Sequence, residues 1–310
     1  MGREVSGGDR PPDGDADLLA RCDGSRPLGG FPAAERETVE RWRREGLVVL
    51  APAAGAGPAA PDAPDAPVIV SPHPDDAALA LGGTVARQGA RFLDVFSVET
   101  WTKEPYYADR PELTRRLLLD EEAVAARVLG ARVELLGFVD AADRDLRRDA
   151  FFAATAWSGG FAQEEPELFG AVTDRLAALL DGAAEVYAPL GVGGHVDHLA
   201  CREAVLALAR DGRLDGARVA FYEDQPYSLF SSAEETARRL APRLAAAGLG
   251  EPSPELRPVD DLAALTKREA LRAYRIQVRQ GIIRRIGRHG THLAEKSDHP
   301  AAERIWRIPG

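Results

Sequence analysis

The sequence predicts a doubly wound α/β fold, in which helices cover both faces of a mainly parallel sheet. Apolar runs of strand length alternate with helical patterns from residue 68 onward, and parallel strands require crossover connections of that length. Such connections are right-handed and place helices on both faces of the sheet. In sheets of this kind, ligands bind beyond the carboxyl ends of the strands, where the strand order reverses.

The predicted strands and helices follow one another in regular alternation. Strands are expected at 68–70, 92–98, 133–138, 185–189 and 218–222. Helices are expected at about 33–45 and at 76–88, 113–129, 166–180, 198–210, 234–247 and 262–280. Gly130 marks the end of the helix at 113–129, because glycine is common just after a helix.

Composition divides the chain of 310 residues near position 67. Residues 1–66 read as a low-complexity N-terminal segment with one short helix. Its first 30 residues are rich in Gly, Asp and Pro and are expected to be disordered. A Pro/Ala-rich linker occupies 51–67. Residues 67–310 are expected to form the folded domain.

Charge and composition exclude several classes of partner. The net charge of −10 argues against a nucleic-acid or anionic-membrane surface, since both demand a basic face. No apolar run has the length of a membrane span, and the N-terminus lacks a secretory pattern. The chain has two cysteines, which favours a reducing cytoplasm. The oligomeric state stays open, and a homo-oligomer is compatible with the sequence.

A rigid polar loop with the sequence SPHPDD follows the first predicted strand. Its two prolines fix the path of the chain. His73 and Asp76 are three residues apart and could bind one ion, while Asp75 points elsewhere. In the alternative interpretation, Asp75 or Asp76 caps the next helix and His73 is an ordinary loop residue. The adjacent carboxylates repel one another unless a cation offsets that repulsion.

A second polar loop, GGHVDH at 193–198, follows the predicted strand at 185–189. His195 and His198 share one face of the beginning helix, and Asp197 can orient an imidazole. The alternative is a capped helix with two incidental histidines. The glycines before His195 resemble a phosphate cradle, but no lysine follows them as in a P-loop. We expect them instead to let the backbone approach the site closely.

The two loops together offer enough ligands for a catalytic zinc ion. Both lie at carboxyl ends of strands in the same predicted sheet. A catalytic zinc site uses three protein ligands and keeps a fourth position open for water. The sequence contains no serine-nucleophile elbow, Cys-x-x-Cys pair or His-Glu-x-x-His helix that would compete for the role.

The segments SPHPDDAALALGG and GGHVDHLACREAV resemble the paired signatures of the LmbE-like, or PIG-L, family of de-N-acetylases. The resemblance spans about residues 68–280. It implies a Rossmann-like fold and one zinc ion held by His73, Asp76 and His198. The chain departs from the family at Ser71 and Ala77, and neither position matches an expected ligand.

The resemblance also implies catalytic roles for the remaining polar residues of the two loops. Asp75 would be the general base, and His195 would be the oxyanion stabiliser or the acid. Asp197 would orient His195 and favour its protonated state. Zinc would supply a water of lowered pKa and would polarise the carbonyl.

Two further groups of residues were considered. Asp224 and Tyr227 follow the last predicted strand and are expected, with less support, to contact substrate. Segments like this one line the pocket in relatives. His289, His292 and His299 lie in an Arg-rich C-terminal region. We expect this region to be a solvated tail rather than a second metal site.

The expected function is zinc-dependent removal of an acetyl or other acyl group from an amide nitrogen. The substrate would be a small N-acetyl amino sugar or glycosylated metabolite, in secondary metabolism. Three alternatives stay open: an amidase acting on a thiol-sugar conjugate, a metal phosphoesterase, and a carbohydrate-binding relative without activity.

Overall fold

The computed structural model describes residues 15–23, 25–52, 66–144 and 164–309. In these residues one seven-stranded sheet forms the centre of the molecule. Its strands are β1 (Val68–Ser71), β2 (Ala90–Asp94), β3 (Ala131–Leu135), β4 (Glu185–Pro189), β5 (Arg218–Tyr222), β6 (Ser253–Val259) and β7 (Ala301–Arg307). The spatial order is β3-β2-β1-β4-β5-β7-β6. Strands β1 to β5 are parallel, and β7 runs antiparallel to both β5 and β6.

Helices cover both faces of the sheet, as the sequence predicted. The described α-helices are α1 (Ala16–Ala20), α2 (Ala33–Glu45), α3 (Asp76–Gln88), α4 (Pro105–Ala108), α5 (Pro111–Leu129), α6 (Pro166–Leu180), α7 (Val196–Arg210), α8 (Ala233–Ala246), α9 (Asp261–Leu271) and α10 (Gln280–Leu293). One apolar core joins the sheet to α6, α7 and α8. A second joins it to α3, α5 and α10 on the other face. No described helix is long and apolar enough to span a membrane.

The strand order reverses at β1, and this reversal positions the functional site. Val68 pairs with Arg91 of β2 on one side and with Val186 of β4 on the other. The chain crosses from β1 to β2 and β3 in one direction, and from β4 to β5 in the other. The two polar loops therefore leave the sheet side by side at its switch point.

The C-terminal part of the chain differs from the prediction. The expected helix at 262–280 ends at Leu271, and a separate helix, α10, begins at Gln280. The turn between the two helices contains no Gly or Pro that would mark a break. The apolar pattern also continues through it, because Ala273, Tyr274 and Ile276 are buried. The expected solvated tail instead forms α10 and β7. His289 lies on α10, and its Nε2 is 3.3 Å from Glu223 Oε2.

The sequence also missed β6 and β7. Pro254 and Pro258 make the sequence of β6 resemble a loop. Such prolines are tolerated there because β6 is the outer strand of the sheet. The strand β7 pairs on one side with β5 and on the other with β6. It makes the sheet mixed at this edge.

The N-terminal segment is more ordered than its composition indicated. The expected helix at 33–45 is present as α2. An apolar cluster joins α1, α2 and the residues between them through Leu18, Phe31, Val39 and Trp42. Arg43 of α2 pairs with Glu269 of α9, with 2.6 Å between Nη2 and Oε1. The remaining predictions for 1–14 and 53–65 fall outside the described residues.

Candidate metal centre

Three of the predicted side chains meet at the switch point. The ligand atoms of His73, Asp76 and His198 all lie within 4.8 Å of one another. His73 Nδ1 is 3.2 Å from Asp76 Oδ2, and His198 Nε2 is 3.3 Å from the same oxygen. Two imidazole nitrogens from separate loops therefore converge on one carboxylate.

The opposite ring nitrogens are held by other carboxylates. His73 Nε2 lies 2.8 Å from Asp140 Oδ2 and 3.1 Å from Asp197 Oδ2. His198 Nδ1 lies 2.6 Å from Asp224 Oδ1. Metal-binding histidines are usually oriented in this way, with the far N–H donated to a carboxylate. Two imidazoles and one carboxylate, buried and facing each other, fit a catalytic zinc ion with one open position.

A second group of four side chains shares His73 with the first: His73, Asp140, His195 and Asp197 also offer ligand atoms within 4.8 Å. In this group the Asp197 carboxylate is already engaged. Arg144 Nη2 donates to its Oδ1 at 2.7 Å, and the Ala141 N–H donates to its Oδ2 at 2.9 Å. The first group is therefore the better ligand set, because its carboxylate faces two imidazoles and no competing guanidinium.

Local hydrogen bonds fix the loop that carries His73. Ser71 Oγ donates to the His73 carbonyl at 2.8 Å and accepts from the Ala77 N–H at 3.1 Å. The His73 N–H donates to Asp76 Oδ2 at 3.0 Å. Backbone and side chain of the loop are thus held together before any ligand binds.

Asp75 occupies an unusual backbone conformation at the start of α3. Its φ of 109° is the one positive value at a described non-glycine residue, and such a conformation costs about 1–3 kcal/mol. Its side chain makes no helix-capping hydrogen bond, which contradicts the capping interpretation for this residue. Burial, followed by the nearby charges of Asp76 and Glu99, raises the pKa of Asp75 well above its usual value.

His195 lies against both histidines of the trio. Its ring centroid is 5.1 Å from that of His73 and 5.3 Å from that of His198. Its Nδ1 accepts the Asp197 backbone N–H at 3.3 Å, so the neutral ring carries its proton on Nε2. Burial, together with His73, lowers the pKa of His195 to about 3. The described surroundings of His195 therefore favour its neutral ring over the protonated ring that was expected.

The Asp197 carboxylate, which was expected to orient His195 and favour its protonated state, has other partners. Its carboxylate is fully buried and contacts His73, Ala141 and Arg144. Hydrogen bonds from His73 hold the pKa of Asp197 well below its usual range, against the effect of burial. Its contact with His195 is made through the backbone N–H.

Asp224 is not where a substrate contact would lie. It is fully buried, and its Oδ2 accepts the N–H groups of Gly191 and Val192 at 2.8 and 2.9 Å. Its other oxygen faces His198. We therefore reassign Asp224 as the carboxylate that orients His198. Tyr227 lies 5.4 Å from His198 between ring centroids, so its role as a substrate contact stays a prediction.

Two residues of the site were missed in the sequence. Asp140 follows β3 at the same edge of the sheet, and its position after a strand could have identified it. Arg144 joins Asp197 to Glu165, with 3.0 Å between Arg144 Nε and Glu165 Oε1. No spacing in the sequence links these three residues, because the fold brings together three separate segments.

A buried centre of two histidines and one carboxylate, with a further acid beside it, defines a class of metal-dependent hydrolases. Comparison with known proteins agrees. The PIG-L family, described as GlcNAc-PI de-N-acetylase, matches residues 68–209. The 2'-N-acetylparomamine deacetylase of Streptomyces fradiae is 32% identical over 257 residues, which are 77% of this chain and 88% of that protein. The chain belongs to the PIG-L family.

Solved structures share the fold. The A40926 pseudoaglycone deacetylase has a TM-score of 0.57 at 21% identity, covering 79% of this chain and 97% of that one. The zinc-inhibited form of a teicoplanin deacetylase has a TM-score of 0.57 at 18% identity, covering 78% and 97%. The N,N'-diacetylchitobiose deacetylase from Pyrococcus horikoshii has a TM-score of 0.52 at 18% identity, covering 79% and 84%. The predicted LmbE-like fold is confirmed, and family membership makes the chain a hydrolytic de-N-acetylase that acts on amide C–N bonds.

Proposed function

We propose that the protein uses one zinc ion to remove the acetyl group from an N-acetyl amino sugar in a small glycosylated metabolite. The observation that carries the proposal is the convergence of His73 and His198 on Asp76, with the uncapped Asp75 beside them. Zinc bound there would lower the pKa of a water molecule and polarise the acetamide carbonyl.

Asp75 acts as the general base in this proposal. Its carboxylate takes a proton from the attacking water and holds it at the carboxyl group. The same carboxyl group then delivers that proton to the departing amine. Its fixed backbone keeps the carboxyl close to the reacting carbon.

His195 stabilises the oxygen that gains negative charge. In its neutral tautomer the Nε2–H is the donor, and the Asp197 N–H on Nδ1 maintains that tautomer. A preorganised neutral donor of this kind contributes about 100- to 1,000-fold to turnover in acyl transfer. The His195 role therefore requires no imidazolium.

The substrate class rests on the relatives. The curated relative is named for 2'-N-acetylparomamine, and the solved relatives are named for a pseudoaglycone, teicoplanin and a diacetylated chitobiose. An acetylated amino sugar is the part that suits an amide hydrolase. Tyr227, whose ring lies 6.5 Å from that of His195, would pack against the sugar. A tailoring step in secondary metabolism and a cytoplasmic location stay predictions.

The alternative functions have less support. A phosphoesterase needs a basic clamp for phosphate. Among the described residues of the site, the guanidinium that could serve is Arg144, and Asp197 and Glu165 already engage it. A carbohydrate-binding protein would have no use for a strained Asp75 that makes no helix cap. An amidase acting on a thiol-sugar conjugate would use the same chemistry and would differ from the proposed enzyme in its substrate alone.

Metal analysis combined with an acetate-release screen tests the proposal. We expect the purified protein to contain one zinc per chain and to release acetate from N-acetylated amino sugars or their glycosides. Asp75→Ala should keep the zinc and lose about two to four orders of magnitude in kcat, as expected for a lost general base. A zinc-loaded protein that releases acetate from none of these compounds would contradict the proposal. Near-normal turnover by Asp75→Ala would overturn the role of Asp75.

A further inference from the structure

We infer that Arg144 is a positioning residue, which aims the Asp197 carboxylate at His73 and thereby strengthens metal binding at the candidate centre. Arg144 lies outside both sequence motifs of the site, in the segment that follows β3. The inference rests on the proposed zinc ion for its consequence, but it concerns a residue that acts through a carboxylate rather than on the metal. One of its tests needs no metal.

His73 Nε2 faces two carboxylates but carries at most one proton. Asp140 Oδ2 lies 2.8 Å from this nitrogen, and Asp197 Oδ2 lies 3.1 Å from it. Two carboxylates that share one N–H repel each other, and the repulsion costs free energy unless a cation offsets it. Their side chains are 6% and 0% exposed, so water can do little to screen the repulsion. A cation beside the pair would offset this cost.

Arg144 is that cation. Its Nη2 donates to Asp197 Oδ1 at 2.7 Å, and Oδ1 is the oxygen opposite the one beside His73. Because the guanidinium holds Oδ1, the second oxygen is left to face the imidazole and to accept the Ala141 N–H at 2.9 Å. The Arg144 side chain is 11% exposed, so this charge-assisted hydrogen bond is screened little by solvent.

Three further contacts fix the Arg144 guanidinium. Its Nη1 donates to the Val139 carbonyl at 2.8 Å, and its Nη2 also donates to Glu165 Oε2 at 3.2 Å. Its Cζ lies 5.2 Å from the centre of the buried Phe96 ring, within range of a cation–π interaction. Val139 directly precedes Asp140. The same side chain therefore braces the two segments that carry the paired carboxylates.

A purely structural role for Arg144 is the alternative. Arg144 joins the start of α7 to Glu165, and such a contact can stabilise a fold without affecting a nearby site. The two roles differ in what they predict for the folded protein. A structural contact changes the free energy of unfolding alone, whereas a positioning contact also changes the zinc affinity of the folded molecules.

Arg243 offers a matched comparison outside the site. It lies on α8, and its guanidinium pairs with the buried carboxylate of Glu203, with 2.6 Å between Nη1 and Oε1. Glu203 lies on α7, as Asp197 does, so both arginines hold an acid of the same helix. The other partner of the acid differs. It is a candidate metal ligand for Asp197 and a second guanidinium for Glu203.

The test compares Arg144→Gln with Arg243→Gln in competition with a chelator, after unfolding curves have shown that each variant is folded. We expect Arg144→Gln to weaken zinc binding by about 10-fold, as the loss of an outer contact of a metal site does. Arg243→Gln should bind zinc as tightly as the wild type, although both variants lose stability. Arg144→Lys keeps the charge but not the planar fork, so its zinc affinity should lie between those of Arg144→Gln and the wild type.

A double-mutant cycle tests whether Arg144 acts through Asp197. Asp197→Asn alone should also weaken zinc binding, because the side chain no longer presents a charged oxygen to His73. In that background Arg144→Gln should cause little further loss, since the carboxylate held by Arg144 is already gone. Additive losses would show that the two residues act separately and would overturn the inference.

Proton NMR of the metal-free protein gives a readout that needs neither zinc nor activity. The His73 Nε2–H lies between two carboxylates and should exchange slowly with water in the wild type and in Arg243→Gln, but faster in Arg144→Gln. Equal exchange in the two variants, or equal zinc affinity, would overturn the inference. If Arg144→Gln does not fold, Arg144→Lys decides the question by the same two measurements. A wild type that binds no zinc would contradict the proposed function, while the exchange measurement would still test the inference.

Discussion

Asp140 holds the side of His73 that faces away from Asp76, with 2.8 Å between Asp140 Oδ2 and His73 Nε2. This contact leaves His73 Nδ1 facing Asp76 and the candidate metal site. We expect Asp140→Asn to weaken zinc binding by about 10- to 100-fold, the usual effect of removing an outer carboxylate. Competition with a chelator measures the zinc affinity directly.

The control for this variant is Asp143→Asn. Asp143 is exposed, and its carboxylate accepts the Thr100 hydroxyl instead of a histidine. Its zinc affinity should match that of the wild type. Equal affinities for Asp140→Asn and Asp143→Asn would mean that Asp197 alone orients His73.

Asp224 is predicted to act on the metal site and on stability, but not on substrate affinity. Replacing it with Asn would leave at least one of its three donors, His198 and the N–H groups of Gly191 and Val192, without its charged acceptor. A buried donor that loses its partner costs about 1–3 kcal/mol. We expect Asp224→Asn to lower the free energy of unfolding by that amount and to weaken zinc binding.

Kinetics then separate this role from the one expected from the sequence. An orienting carboxylate behind His198 should leave the KM of the zinc-saturated enzyme unchanged. If Asp224→Asn instead raises KM strongly at full zinc occupancy, the reassignment of Asp224 is wrong and a substrate contact is the better interpretation.

The sequence was sufficient to predict that His73, Asp76 and His198, the candidate metal ligands, would meet. His73 and Asp76, and likewise His195 and His198, stand three residues apart in loops after buried strands. The rule for parallel sheets brings such loops to one edge. Local spacing and topology therefore predicted which side chains would meet, and the structure brings them within ligand distance.

The outer contacts of the site could not be predicted in the same way. Asp140 and Asp224 each reach a histidine more than 25 positions away, and their roles depend on the direction of a side chain rather than on its spacing. Asp224 illustrates the limit. Its position at a strand end was read correctly, but its burial behind His198 was not visible in the sequence.

Glu121 is predicted to make stability depend on pH. Burial raises its pKa from 4.5 to about 7, so the folded state binds its proton more tightly than the unfolded state does. This contribution is fully present below about pH 4.5 and is lost as the pH rises through 7. A shift of this size corresponds to about 3 kcal/mol. Glu121→Gln does not titrate and should remove that part of the pH dependence.

Urea unfolding of the metal-free protein at pH 5 and pH 8 measures the effect. Wild type should lose more stability between the two values than Glu121→Gln does. Asp120→Asn, on the same helix and with an outward-facing side chain, serves as the control and should follow the wild type. Identical pH dependence in wild type and Glu121→Gln would show that the carboxyl titrates normally in the folded protein.

Gly193 is predicted to determine where Tyr227 lies. Its φ of +85° disfavours any residue with a Cβ, and a Cβ built there would lie 2.8 Å from the Tyr227 ring. The ring in turn lies against His195 and His198. Gly193→Ala should therefore destabilise the fold by about 1 kcal/mol or more through backbone strain and should push Tyr227 out of its position.

The KM values of two variants show whether Tyr227 contacts substrate or only packs against the histidines. If Tyr227 contacts the sugar, Gly193→Ala raises KM, and Tyr227→Ala raises it by a similar factor, because both remove the same surface. Gly170→Ala on α6 is the matched control, since a Cβ there meets nothing within 4 Å and favours the helix. An unchanged KM in both Gly193→Ala and Tyr227→Ala would assign Tyr227 to packing against the histidines alone.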